Sequence, residues 1–225
     1  MTPRAWAAFA GVIALTGFLL FASAGTFDWA DGWWFLVLYT VGGLAVTLWL
    51  ARNDPALLAA RMDVRKQEGQ PAWDRVVVYA AQFIWWGWLI FMGLDGGRFG
   101  WSSLPDWLVW VGRVGLLAGI WGIYRTFREN SFGAPVVRIQ TERGHKVIST
   151  GPYGIVRHPM YASALVLLVS IALALNSGWG VLVALLIEYA LTFRIKGEER
   201  VLREGLAGYV DYTTKVRYRL IPFIW

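Results

Sequence analysis

"MYASALVLLVSIALALNSGWGVLVALLIEYALTF", residues 160–193, decides the fold. Apart from Glu188 it is free of charge over more length than one helix needs, since about 20 apolar residues cross the hydrocarbon core. Asn176-Ser177-Gly178 interrupts the run with a turn signal. The stretch therefore reads as two apolar helices joined by a tight turn, each short for a full span. A helix that returns must end near where it started, so the polar segments flanking this hairpin are expected to meet on one side of the membrane.

Four further blocks, residues 5–24, 29–51, 76–94 and 107–124, are nearly free of charge, which brings the expected membrane segments to six. With 57% hydrophobic residues in 225, the chain far exceeds what one soluble core requires. The predicted fold class is an all-α, multipass transmembrane helical bundle. It divides into N-terminal helices, 1–129, and a region with the hairpin and a C-terminal tail, 130–225. Ala22-Ser23-Ala24 has the small-x-small look of a signal cleavage site, but the apolar stretch before it is longer than the about 7–15 residues of a signal. It is expected to stay as the first span.

Basic residues in short loops set orientation. Arg4 precedes the first segment, and Arg52, Arg61, Arg65, Lys66 and Arg75 lie between the second and third. Arg125, Arg128, Arg138, Arg143, Lys146 and Arg157 follow the fourth. The opposite connections hold Arg98 with Asp28, Asp31, Asp95 and Asp106. The N-terminus, the 125–159 segment and the C-terminal tail are thus expected in the cytoplasm. Trp29, Trp33, Trp34, Trp101, Trp107 and Trp179 then fall at the outer interface, where amphipathic indoles concentrate. The Gly-, Ala- and Arg-rich composition points to a prokaryotic inner membrane. This asymmetry accounts for most of the +6 net charge, so no nucleic-acid partner is expected. The chain has no cysteine, which excludes thiolate chemistry, and its two histidines do not suffice for a metal site, so no metal is expected.

Chemistry concentrates in two polar stretches on either side of the hairpin. The first holds Gly144-His145-Lys146-Val147-Ile148, Gly151-Pro152-Tyr153 and Arg157-His158-Pro159-x-Tyr161; the second holds Glu198-Glu199-x-x-Leu202, Tyr209-x-x-Tyr212 and Arg219-Leu220-Ile221-Pro222. In this order and at this spacing, residues 130–225 resemble the isoprenylcysteine carboxyl methyltransferases and the related phospholipid methyltransferases, membrane enzymes that use S-adenosylmethionine. Two departures stand out. Ser163 replaces a usual glycine, and Leu206-Ala207 replaces Phe-Gly; both bear on substrate fit more than on methyl transfer.

The resemblance implies S-adenosyl-L-methionine as donor, S-adenosyl-L-homocysteine as product, and a lipophilic acceptor entering from the bilayer. It implies a donor pocket lined by His145, Lys146, Val147, Ile148, Tyr153, Arg157, His158 and Tyr161, closed by Glu198 and Glu199. Arg194, one helical turn before Glu198, is implied to meet the acceptor, with Arg194 and Glu198 in the catalytic roles. Asn176 at the hairpin tip resembles a substrate-side position. The residue chemistry suits the donor: cations or backbone N–H groups for its carboxylate, carboxylates for its ribose hydroxyls, and prolines that fix the connecting loop. A sulfonium is already an activated leaving group, so alignment is the protein's main task. A carboxylate acceptor needs no general base; a phospholipid amine or a small thiol must lose a proton.

Other readings remain open on sequence. Arg157 and Arg194 also fit snorkelling interfacial arginines, and Glu198-Glu199 before Arg200 and Arg203 fits a solvated helix face. A non-enzymatic haem-binding protein would use His145 and His158 as axial ligands. A transporter would show paired broken helices in corresponding halves, which the chain lacks. Within the membrane blocks, Arg113 and Glu188 are costly unless paired. They are expected to meet each other or to line a polar cavity.

Overall fold

The computed structural model describes residues 3–63 and 68–225, with the side chain of Arg4 excepted. The expected loop charges Arg65 and Lys66, and the Arg4 guanidinium, lie outside the described residues. The helices run α1 Pro3–Ala24, α2 Ala30–Asn53, α3 Pro55–Met62, α4 Ala72–Met92, α5 Asp106–Glu129, α6 Pro159–Ala174, α7 Gly178–Gly205 and α8 Tyr209–Lys215. No strand occurs among the described residues. α4 continues into a π-helical stretch, Gly93–Phe99, which ends at Gly100 in the left-handed region (φ 59°).

Five helices, α1, α2, α4 with its extension, α5 and α7, are long and apolar enough to cross a membrane; α6 is the shorter apolar helix. All six expected segments are helices, five of them long enough to span, and the hairpin is present but unequal. α6 has 16 residues, whereas α7 has 28 and runs on past the apolar part into Glu198 and Glu199. Asn176 makes the turn at φ 56°. Ser177 then caps α7, its hydroxyl accepting from the Gly180 N–H at 3.0 Å.

α5 packs antiparallel on α6 through small residues. Gly112, Gly115, Gly119 and Gly122 face Ala174, Ser170, Leu167 and Ser163 in turn, and a Cβ on Gly119 would lie 2.9 Å from the Leu167 backbone. Where lipid removes the hydrophobic drive between helices, such close backbone approach supplies the packing. Ser163 is one of the two departures noted in the motif, and its opposite number is Gly122. The room that a glycine at 163 would provide comes from the partner helix instead. Leu20, Phe35, Leu89, Leu116 and Ile171 form the fully buried centre, and the Trp88 indole N–H donates to the Gly180 carbonyl at 3.0 Å.

Two sequence expectations change. Arg113 does not meet Glu188: its guanidinium donates to Asp31 at 2.6 Å and lies 4.3 Å from the Trp110 ring centroid. The reason is helix order, because α5 packs on α2 and α6 whereas Glu188 sits on α7, which packs on α6 and α4. Both Glu188 carboxylate oxygens are buried without a hydrogen-bond partner. Trp29, expected at an interface, is buried against Gly32 and Gly97, whereas Trp33, Trp34, Trp101, Trp107 and Trp179 are exposed.

Candidate active site

Three pieces of chain converge beside the open end of the hairpin: the strap 130–158, the last turns of α7, and α8 with the tail behind it. The first join is backbone to backbone. The N–H groups of Arg157 and His158 donate to the carbonyls of Tyr218 and Arg219, each at 2.9 Å. Arg157 adds its side chain, with Nη1 donating to the carbonyls of Val216 and Arg217 at 2.9 Å and Nε to Glu199 Oε1 at 2.7 Å. Arg219 donates to the other Glu199 oxygen at 2.9 Å, and His158 Nε2 lies 3.3 Å from Oε1. Glu199 is thus the buried centre that ties the Arg-His-Pro corner, α7 and the tail into one body. Isolated, a carboxylate at this depth would be costly; with two guanidinium partners its charge is compensated.

In front of that body lies an open cavity. His145, Lys146, Val147, Ile148, Tyr153, Arg157, His158, Tyr161 and Glu198 all line it. Glu199 does not; its oxygens are spent on the wall. Val136, Val137, Leu202 and Leu206 give the cavity an apolar side, and Tyr209 and Tyr212 close it. The Tyr212 hydroxyl donates to the Tyr153 carbonyl at 2.7 Å, while the Tyr209 hydroxyl is buried with no hydrogen-bond partner. Burial, reinforced by Glu199 and Glu198, pushes the Tyr209 hydroxyl well above the usual phenol range, so it remains a donor. His145 stacks on Phe132 with ring centroids 4.5 Å apart, and its Nδ1 accepts from the Gln140 N–H at 3.3 Å. Burial first, and Arg143 second, hold His145 below the ordinary imidazole value. That neutral ring presents Nε2 as its donor.

Arg194 stands one layer behind the lining. Nη1 donates to the Tyr161 hydroxyl at 2.7 Å, Nη2 to the Pro135 carbonyl at 2.8 Å and Nε to Asp74 at 3.0 Å; Tyr161 in turn donates to Glu198 at 2.8 Å. On the same side, Arg61 from α3 donates to the Gly133 carbonyl at 2.8 Å and has no carboxylate partner among the described residues. Burial and the Arg194 guanidinium lower it to about 10, so it keeps its charge at neutral pH.

Asn176 is not brought to this cavity. It lies at the other end of α6, where its amide oxygen accepts from the Leu104 N–H at 2.8 Å. The 16 residues of α6 put about 24 Å of helix between the two ends. His145 Nδ1 accepts from the Gln140 N–H and His158 Nε2 faces Glu199, so each ring is held by the protein at one nitrogen. The snorkelling and solvated-face readings also fail for Arg157, Arg194 and Glu199, all committed to specific interior partners. Sequence reasoning missed Asp74, Arg61 and the Tyr209 hydroxyl. Asp74 and Arg61 look like ordinary loop-proximal charges, and their partners lie far away in sequence.

Known proteins match on two levels. Residues 107–207 match the family model of phospholipid methyltransferase. No curated protein matches the chain by sequence. Among several solved structures that match is the eukaryotic intramembrane Ras methyltransferase, isoprenylcysteine carboxyl methyltransferase. It aligns with a TM-score of 0.62 at 19% identity, covering 98% of this chain and 77% of that one. The stretch 107–207 thus carries the pattern of the phospholipid methyltransferase family, on a fold shared with isoprenylcysteine carboxyl methyltransferase.

Proposed function

We propose that the chain is an integral membrane methyltransferase that takes S-adenosylmethionine from the aqueous side and methylates a carboxylate on an amphiphilic acceptor from the bilayer. The observation that carries this is the meeting of the His145–Ile148 strap and Glu198 on one cavity beside the apolar hairpin. The residues present suit the donor. A buried, unpartnered Tyr209 hydroxyl is a polar atom awaiting an acceptor, and Val136, Val137, Leu202 and Leu206 offer a slot for a purine. Lys146 supplies a cation at the mouth for a carboxylate, and Glu198 keeps one oxygen for a ribose hydroxyl or an ammonium.

When bound, the donor supplies a methyl group on a sulfonium that needs no further activation. The chain's own residues align and screen. Arg194 holds the Tyr161 hydroxyl toward Glu198, and the Glu199 cluster keeps the cavity wall rigid. Charge selects the acceptor class. Arg61, Arg157, Arg194 and Arg219 outnumber Asp74, Glu198 and Glu199 around the site, so an anionic acceptor brings the missing counter-charge and an amine brings none. The basic loops lie at this end of the bundle, which supports a cytoplasmic-facing cavity by the positive-inside rule.

Calorimetric titration of S-adenosylhomocysteine into detergent-solubilised protein tests the reading. Wild type is expected to bind, and Glu198→Ala about tenfold or more weakly, the loss of one charged hydrogen bond. No binding by wild type, or undiminished affinity in Glu198→Ala, overturns the assigned pocket.

A further inference from the structure

Asp74 lies in the first turn of α4, outside the stretch that carries the family pattern, and it is completely buried. Its Oδ2 accepts from the Val137 N–H at 2.9 Å and from the Gln70 amide at 2.8 Å; its Oδ1 accepts from Arg194 Nε at 3.0 Å. Each contact has a distinct consequence. Val137 and its neighbour Val136 are cavity wall, so the bond to the Val137 N–H fixes that wall to a membrane helix. Arg194 has three donors committed in three directions, to Asp74, Tyr161 and Pro135, and the rigid fork of a guanidinium allows this only in one orientation. Pro135 belongs to the same strap as Val137. The carboxylate therefore clamps the strap twice, once directly and once through Arg194, and sets the angle at which Arg194 meets Tyr161 and, through it, Glu198.

We infer that Asp74 is a positioning residue of the site, one that orients Arg194 and the Pro135–Val137 wall for ligand without touching ligand itself. The inference rests on the reading of this cavity as the active site, but its mechanical part can be checked without any ligand. An aspartate whose only task was to start α4 would need one acceptor contact to backbone N–H groups of its own helix. Here all three donors come from elsewhere: Gln70 before the helix, Val137 in the strap and Arg194 on α7. No neutral isostere can replace it. An asparagine offers one acceptor oxygen and turns an NH2 group toward at least one of three donors.

Hydrogen–deuterium exchange of full-length Asp74→Asn in detergent tests the mechanical part. The peptide covering 133–140 is expected to exchange at least about tenfold faster than in wild type, while peptides from the centre of α4 stay unchanged. S-adenosylhomocysteine affinity should fall with it. In an Arg194→Gln background the same Asp74→Asn change should cost less affinity than it does in wild type, because the route through Arg194 is already cut. A merely structural aspartate would lower the melting temperature, leave the strap's exchange and the affinity unchanged, and show no coupling to Arg194; that result overturns the inference. If Asp74→Asn is recovered poorly, Arg194→Lys provides the same test, since the single ammonium nitrogen of a lysine does not reproduce the fork by which Nε, Nη1 and Nη2 separately meet Asp74, Tyr161 and Pro135. Unchanged exchange of 133–140 in that variant also counts against the clamp. If wild type binds no S-adenosylhomocysteine, the proposed function fails, and the exchange experiment still decides whether Asp74 holds the strap.

Discussion

The two ends of the α6–α7 hairpin each hold a buried carboxylate inside a hydrogen-bonded network, and they are put to different uses. At the turn, Asp95 is fully buried and accepts from the Ser102 N–H at 2.8 Å, the Ser102 hydroxyl at 2.7 Å and the Ser177 hydroxyl at 2.6 Å. Ser177 caps α7, Ser102 accepts from the Gly178 N–H at 2.7 Å, and Asn176 holds the Leu104 N–H. The buried carboxylate and both serine hydroxyls there are spent on other parts of the chain. At the open end, the Glu199 cluster is equally spent, but the layer in front of it is not: Tyr209 has a buried hydroxyl without a partner and Lys146 has no ion pair among the described residues. A saturated network makes a rigid joint, and an unsaturated layer held by a saturated one makes a site. Stability and ligand affinity should therefore separate between the two ends.

Glu199→Ala is the harshest way to break that picture. Three cationic or imidazole partners lose their common acceptor, and uncompensated buried charge costs about 3–5 kcal/mol. For a chain of this size that is a fall in melting temperature on the order of 10 °C. S-adenosylhomocysteine binding is expected to be lost as well, because the wall itself loosens. A variant that melts like wild type shows that the cluster does not hold the tail.

At the turn, Asp95→Ala should cost about 1–3 kcal/mol for the unsatisfied donors it leaves, and should leave S-adenosylhomocysteine affinity unchanged. A tenfold change in affinity would mean that the two ends are not independent. Glu188 gives an effect of opposite sign. Both its oxygens are buried without partners, so Glu188→Leu is expected to stabilise the fold by about 1–2 kcal/mol in a thermal melt. A destabilised Glu188→Leu would reveal that the carboxyl has a task in the folded protein.

What was legible in the sequence follows the same division. The hairpin could be read because Asn176-Ser177-Gly178 breaks a long apolar run, and most of the cavity lining could be named because it comes in short contiguous motifs. The pairing of Arg113 could not be read. Both Arg113 and Glu188 lie inside apolar blocks, but that says nothing about which helices are neighbours, and α2 rather than α7 lies beside α5. Asp74 escaped for a related reason, since its partners Val137 and Arg194 are 63 and 120 residues away. The roles of the adjacent glutamates also separated only in three dimensions. Successive helix positions differ by about 100°, which turns Glu198 to the cavity and Glu199 to the wall.

The gentlest probe is pH, acting on His145. Its imidazole is held below the ordinary value by burial first and by Arg143 second, while in the unfolded chain it titrates near the usual value of about 6.5. Well above that value the ring is neutral in both states and contributes no pH dependence. As pH falls below about 6.5 the unfolded chain takes up the proton first, so the folded state is progressively penalised until pH drops through the folded value. Protonation also places a hydrogen on Nδ1, which then cannot accept from the Gln140 N–H. The melting temperature of wild type should therefore fall on acidification from pH 7 more steeply than that of His145→Gln, whose side chain does not titrate. S-adenosylhomocysteine affinity should weaken only at lower pH, as the folded ring itself takes up the proton, and in wild type alone, because the ring packs on Phe132 in the cavity wall. Parallel curves for the two proteins would show that some other group, not this histidine, sets the acid limb.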